Sequence, residues 1–245
     1  MSSDNYNLHC DDFYLDMYIN TKLDLPAHRD TVLAFFERIQ KQYPSMGCFY
    51  YSENNEFCLE ENRSSGRYRW LTLEANRIGS GIVNPAALEE AYAQDKLVID
   101  VAPYMLSVSH LDIESLDVVF AMDFCYAGNH DEVIAEALLG SSAFSSLLDL
   151  PDARPIDFSP AVVVALSEDH HTQARINVES KTGRYGPLEK KHSAEEAITL
   201  SFTIRQYPSG TGKFDALKSF ENQCRLAEKL MAEKIIPNFV QPLAN

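Results

Sequence analysis

Basic residues are scarce in this chain. Twenty-one lysines and arginines face 36 aspartates and glutamates, a formal net charge of −15 over 245 residues. A field of that sign repels phosphate backbones and anionic membrane surfaces, so neither nucleic acid nor membrane is expected as a partner. Long apolar runs are missing as well. The longest, Ala161–Leu166, is strand-sized and far short of the about 20 residues a membrane helix needs. The opening residues Met1-Ser2-Ser3-Asp4-Asn5 lack the basic start and apolar stretch of a secretory signal. Five cysteines, at 10, 48, 58, 125 and 224, are odd in number and scattered, which reads as reduced and mostly buried thiols. A cytoplasmic protein is expected.

Complete catalytic signatures are lacking too. The segment Tyr207-Pro208-Ser209-Gly210-Thr211-Gly212-Lys213 lies between a strand and a helix, where backbone N–H groups suit an anion. A phosphate-binding P-loop, however, needs glycine where Tyr207 stands and serine or threonine where Phe214 stands. Gly140-Ser141-Ser142 lacks the second glycine of a nucleophile elbow. His170-His171 follows Glu168-Asp169 in a tight turn whose adjacent side chains diverge, and no Cys or His pair stands nearby at ligand spacing. His9-Cys10-Asp11-Asp12 holds ligand-type side chains but is read as part of a mobile terminus. Cys58 and Cys125 fall in strands and Cys224 on a core-facing helix, as packing residues and not activated thiols. No catalytic residue, metal site or cofactor is expected, and whether the protein is an enzyme stays open.

What is present is an internal duplication at a fixed offset. Leu15-Asp16 recurs as Leu116-Asp117, and Asp30-Thr31-Val32-Leu33-Ala34 as Asp131-Glu132-Val133-Ile134-Ala135, both 101 residues on. A strand and its following helix thus repeat with their connection length kept. Phe13, Leu15, Met17 and Ile19 alternate with Tyr14, Asp16, Tyr18 and Asn20, and Leu116 to Phe124 alternate in the same way. After the first strand, Val32, Phe35, Phe36, Ile39 and Tyr43 sit at helical spacing up to Pro44. Strands are predicted at 48–52, 56–61, 67–77, 97–101 and 104–110, with a short helix over 86–94 after a Gly79-Ser80-Gly81 loop. The second half predicts a helix over about 130–140, strands at 161–166, 174–180 and 197–207, and an exposed polar loop over Gly183–Ser193. A helix over Phe214–Ile235, stopped by Pro237, buries Leu217, Phe220, Cys224, Ala227, Met231 and Ile235.

The expected fold is α+β: two similar β-α-β-β-β units, ferredoxin-like or barrel-like, with a mostly antiparallel sheet and a long C-terminal helix. The units divide as 1–111 and 112–245. Asp16 and Asp117, equivalent at the offset, either face each other across a pseudo-symmetric cleft or lie on the solvent faces of their strands; the latter is favoured. In the stretch Arg67 to Glu74, Tyr68, Trp70, Thr72 and Glu74 share one face, and Arg67 and Arg69 lie with Leu71 and Leu73 on the other. Two functions follow. The first is a non-catalytic binding or assembly module that self-associates into a homo-oligomer through strand edges. The second is a protein with a pocket between the halves for a small anionic ligand, held by Arg69, Trp70, Arg77, Arg205 and Lys213.

Overall fold

The computed structural model describes residues 6–140, 142–180, 197–210 and 212–244. The loop expected over Gly183–Ser193 lies outside them. The chain forms an α+β fold built on one nine-stranded sheet in which every neighbouring pair is antiparallel. The strands are β1 (Asp12–Thr21), β2 (Cys48–Tyr51), β3 (Phe57–Glu60), β4 (Tyr68–Leu73), β5 (Arg77–Val83), β6 (Ile113–Cys125), β7 (Ala161–Ala165), β8 (Thr172–Ser180) and β9 (Ala197–Gln206). Their order across the sheet is β2-β3-β4-β5-β1-β6-β9-β8-β7. The helices are α1 (Arg29–Gln42), α2 (Leu88–Met105), α3 (His130–Leu139), α4 (Ala216–Leu230) and α5 (Gln241–Ala244). Among the described residues no helix is long and apolar enough to cross a membrane.

Strand alternation decides which face is covered. Leu15, Met17 and Ile19 of β1 are level with Phe120, Val118 and Leu116 of β6, and all are buried. The same face continues through Ile78 and Ile82 of β5 and through Leu200, Phe202 and Ile204 of β9. Phe35 and Ile39 of α1, Val98 of α2 and Phe220 and Cys224 of α4 close the core over that face. The opposite face carries Tyr14, Asp16, Tyr18, Asn20, Asp117 and the polar residues of β8 and β9.

Several expectations are corrected. The strand expected over 67–77 divides at Glu74-Ala75-Asn76, where Glu74 N–H bonds to Arg77 O at 2.9 Å. Arg77 Nε returns a bond to Glu74 Oε1 at 2.7 Å, so the sequence folds into a hairpin. The Gly79-Ser80-Gly81 loop is instead the middle of β5. A Cβ on Gly81 would stand 2.8 Å from Trp70 Nε1, and one on Gly79 3.0 Å from both Trp70 and Tyr18. The glycines are there because aromatic rings lie against that strand.

Strands expected at 97–101 and 104–110 do not form; α2 runs through Met105. Leu88, Ala91, Val98 and Ala102 recur at helical spacing, and burying them outweighs the strand preference of Val98, Ile99 and Val101. The last helix begins at Ala216, capped by Asp215 accepting from Lys218 N–H, and it is not stopped at Pro237. Residues Met231–Val240 form a wider π-helical stretch around that proline. Wider turns relieve the clash between a proline ring and the preceding turn's carbonyl. Finally, the N-terminal stretch is tied down: Tyr6 is fully buried and stacks on Phe13 with ring centroids 5.1 Å apart. The thiols are also less buried than expected. Cys58 and Cys224 are buried, whereas Cys48 and Cys125 are exposed.

Candidate functional site

The uncovered sheet face holds a cleft of about 310 Å³ that crosses the junction of β5, β1, β6, β9 and β8. It exists because polar residues recur at every second position on strands whose other face is apolar. On β8 these are Gln173, Arg175 and Asn177, and on β9 Ser201, Thr203 and Arg205. Tyr18, Asn20, Arg77 and Asp117 complete the inner wall, and Val163 of β7 forms the outer one.

Asp117 is the electrostatic centre. Its side chain is nearly buried, and the fork of Arg205 grips it through Nε–Oδ1 at 2.7 Å and Nη2–Oδ2 at 2.6 Å. Asn20 Nδ2 adds a donor to Oδ2 at 3.2 Å and one to Ser115 Oγ at 2.9 Å. The bidentate hydrogen bonds that Arg205 donates to Asp117 hold its guanidinium charged well beyond its usual range. Arg77 lies 4.9 Å over the Tyr18 ring and pairs with Glu74. Burial pushes the Tyr18 hydroxyl up, keeping it a neutral donor at physiological pH. Arg175 is exposed and makes no ion pair or hydrogen bond among the described residues. Three guanidinium groups therefore line the cleft, two of them paired with carboxylates (Arg77 with Glu74, Arg205 with Asp117) and Arg175 with none among the described residues.

Asp16 lies beside this cleft, on the same face of β1. It stands opposite Val119, while Asp117 stands opposite Tyr18, so the two aspartates are diagonal neighbours across the central strand pair. Both lie on the sheet face that no helix covers, as was favoured from the sequence, but neighbouring side chains bury them within it. Asp16 is 8% exposed and Asp117 4%. Trp70 lies beside Asp16 over Gly81, and its nearby indole N–H works to lower the pKa of that carboxyl. Burial nevertheless pushes that carboxyl up to about 8, and Oδ1 has no hydrogen-bond partner among the described residues.

Of the five expected ligand residues, the structure brings Arg77 and Arg205 together in the cleft and puts Trp70 next to it, its ring 6.0 Å from that of Tyr18. Arg69 is on the other face. It lies 4.6 Å over Tyr43, bonds to Gln94 Oε1 at 3.1 Å and is 3.7 Å from Glu61. The one-residue step from Trp70 sends it there. Lys213 is exposed in the loop before α4 and lines a separate groove with Pro103, Tyr104 and His110. Arg175, Gln173 and Asn177 were missed. Their signal was legible, since they alternate with Ala174, Ile176 and Val178.

The thiols and histidines make no comparable constellation. Among the described residues no group of three His, Cys, Asp or Glu side chains could hold a metal ion. His171 pairs with Asp169 in its own turn at 3.2 Å. Comparison with protein-family models, curated proteins and solved structures finds no match to this chain.

Proposed function

We propose that the protein is a binding module whose uncovered sheet face takes a small anionic molecule bearing a carboxylate or phosphate. The observation that carries this reading is Arg175, an exposed guanidinium with no ion-pair partner, aligned with Arg77 and Arg205 around one cleft. Arg205 is locked on Asp117 and so sets the position of the positive wall, while Arg175 is free to close on a ligand. Tyr18, Asn20, Gln173, Asn177, Ser201 and Thr203 supply the neutral donors and acceptors that fix orientation. The reading is of a non-catalytic site.

The architecture proposed with it is an ancient doubling of one strand–helix–strands–helix unit. Supporting this, β1 and β6 lie side by side at the sheet centre, each leads into a helix, and each pairs with the last strand of its own half.

The test is a thermal-shift titration with inorganic phosphate and with citrate, at constant ionic strength. A rise in Tm of several degrees is expected, since a ligand at 100 times its Kd stabilises by about 2.7 kcal/mol. Arg175→Ser, on an exposed position, should keep the basal Tm and lose the rise. An equal rise in Arg175→Ser, or none in the parent protein with either anion, overturns the reading.

A further inference from the structure

Among the described residues nothing pairs with the far edge of the sheet. β7 is the last strand and pairs only with β8, and every one of its five residues is exposed. Val162, Val163 and Val164 are 54%, 58% and 47% exposed. Edge strands are ordinarily protected by charges, prolines, bulges or a covering element. Within Ala161–Ala165 there is no charge, proline or glycine.

Two features say what occupies this edge. The first is hydrogen-bond direction. Val178 N–H bonds to Pro160 O at 3.0 Å, and Leu166 N–H to Thr172 O at 2.7 Å. Alternation along an antiparallel ladder then turns the N–H and C=O groups of Val162 and Val164 toward β8, and those of Ala161, Val163 and Ala165 outward. The second is the sequence itself: Ala-Val-Val-Val-Ala reads the same in both directions. Rotated by a two-fold axis through Val163, the strand meets an identical strand with valine opposite valine and alanine opposite alanine.

We propose that β7 pairs antiparallel with β7 of a second copy of this chain about that axis, joining two sheets into one. Val163 faces its counterpart as a hydrogen-bonded pair, and Ala161 and Ala165 of each copy do the same across the axis. Val162 and Val164 meet on the helix side in the closer, non-bonded register. Pro160 falls at a position whose missing N–H the new ladder does not need. An isologous contact of this kind closes on itself, so the product is a dimer and not a filament. The other sheet edge fits a second copy poorly. β2 is Cys-Phe-Tyr-Tyr, with no such symmetry, and Phe49 is engaged with Phe36 at 5.3 Å. Val163 also lines the cleft, so the dimer sets the two clefts side by side on one face. The pairing stands on the strand alone and does not depend on what the cleft binds.

Sedimentation of the full chain tests this. The parent protein is expected at twice 27.6 kDa. Val163→Pro removes an outward N–H without touching the bonds to β8, and Val163→Lys places a charge on the axis; both should sediment at 27.6 kDa with unchanged circular dichroism. Tyr51→Lys at the opposite edge should remain a dimer. Register is read by disulfide cross-linking in a Cys48→Ser/Cys125→Ser background. Val162→Cys mixed with Val164→Cys should cross-link, and neither should do so alone. A parent protein that is monomeric up to about 0.5 mM, where even a millimolar Kd would show, overturns the proposal. So does a dimer that persists in Val163→Lys, or a mixture that fails to cross-link.

Discussion

Trp70 of β4 and Asp16 of β1 meet over Gly81 of the intervening strand β5, with the indole Nε1 and the carboxyl Oδ1 both lying against that glycine. Two glycines of the intervening strand make this possible. Gly81 pairs with both Trp70 and Asp16, and a Cβ on it would press on Asp16, on Trp70 Nε1 and on Leu15 O. The arrangement seals a carboxyl beneath an aromatic ring at the edge of the proposed binding cleft.

Gly81→Ala should therefore destabilise the fold by about 1–3 kcal/mol, the usual cost of overpacking. Leu15 O is backbone and cannot retreat, so Trp70 must move. Urea unfolding followed by tryptophan fluorescence reads both effects, because Trp70 is the only indole in the chain. An unchanged midpoint and emission maximum would mean the ring is not seated there.

Asp16 makes a prediction about pH. Its folded pKa, about 8, lies above its ordinary value of 3.8 because burial disfavours the charged form. The unfolded chain releases that proton near pH 4 while the folded chain keeps it to near pH 8. Stability is then fully present below pH 4 as far as this group is concerned, and falls as pH rises to 8. Asp95 in α2, pushed up by burial as well, acts in the same direction. Tm should drop between pH 5 and pH 9, and Asp16→Asn, which keeps the side chain's size without its charge, should flatten the slope and raise Tm at pH 8.

Arg205→Ala leaves Asp117, whose side chain is 5% exposed, with only Asn20 as a donor. Fully buried pairs lose about 3–5 kcal/mol when one partner is removed. Arg205 is itself 40% exposed, so about 2 kcal/mol is expected here. Arg205→Lys should recover part of it, since an ammonium keeps the charge but not the fork. A double-mutant cycle with Asp117→Asn, measured by denaturant unfolding, isolates the coupling.

Thiol reactivity should follow exposure. Cys48 and Cys125 should react with Ellman's reagent in the native state, and Cys58 and Cys224 only after unfolding. Cys125 should be slow at pH 7 and quicken with alkali, because desolvation and the nearby Asp11 push its thiol up. Fast labelling of Cys224 without denaturant would contradict the packing of α4.

Much of this was legible in the chain. Alternation along Phe13–Asn20 and Leu116–Phe124 marked the two central strands, and the stripe from Phe220 to Ile235 marked the last helix. Those patterns are local, and burial of one face enforces them. The middle of the first half was not legible. Glycines in β5 read as a loop because a glycine's role there depends on Trp70, a residue of another strand. Val98, Ile99 and Val101 read as a strand because their preference is intrinsic, while the packing that makes them helical comes from β1, β5 and α4.

The cleft divides in the same way. From the chain alone it follows that Arg77 and Arg205 stand near the ends of strands, that Trp70 and Arg69 point to opposite faces, and that Ala161–Ala165 is an uncharged palindrome. Period-two geometry fixes such facts without any partner. That β5, β1, β6, β9 and β8 are neighbours, which puts Arg77 and Arg175 in one cleft across 98 residues of chain, comes from the packing of the whole sheet. Strand order is set by which apolar faces the helices can cover together, and that is a property of the packed molecule and not of any one segment.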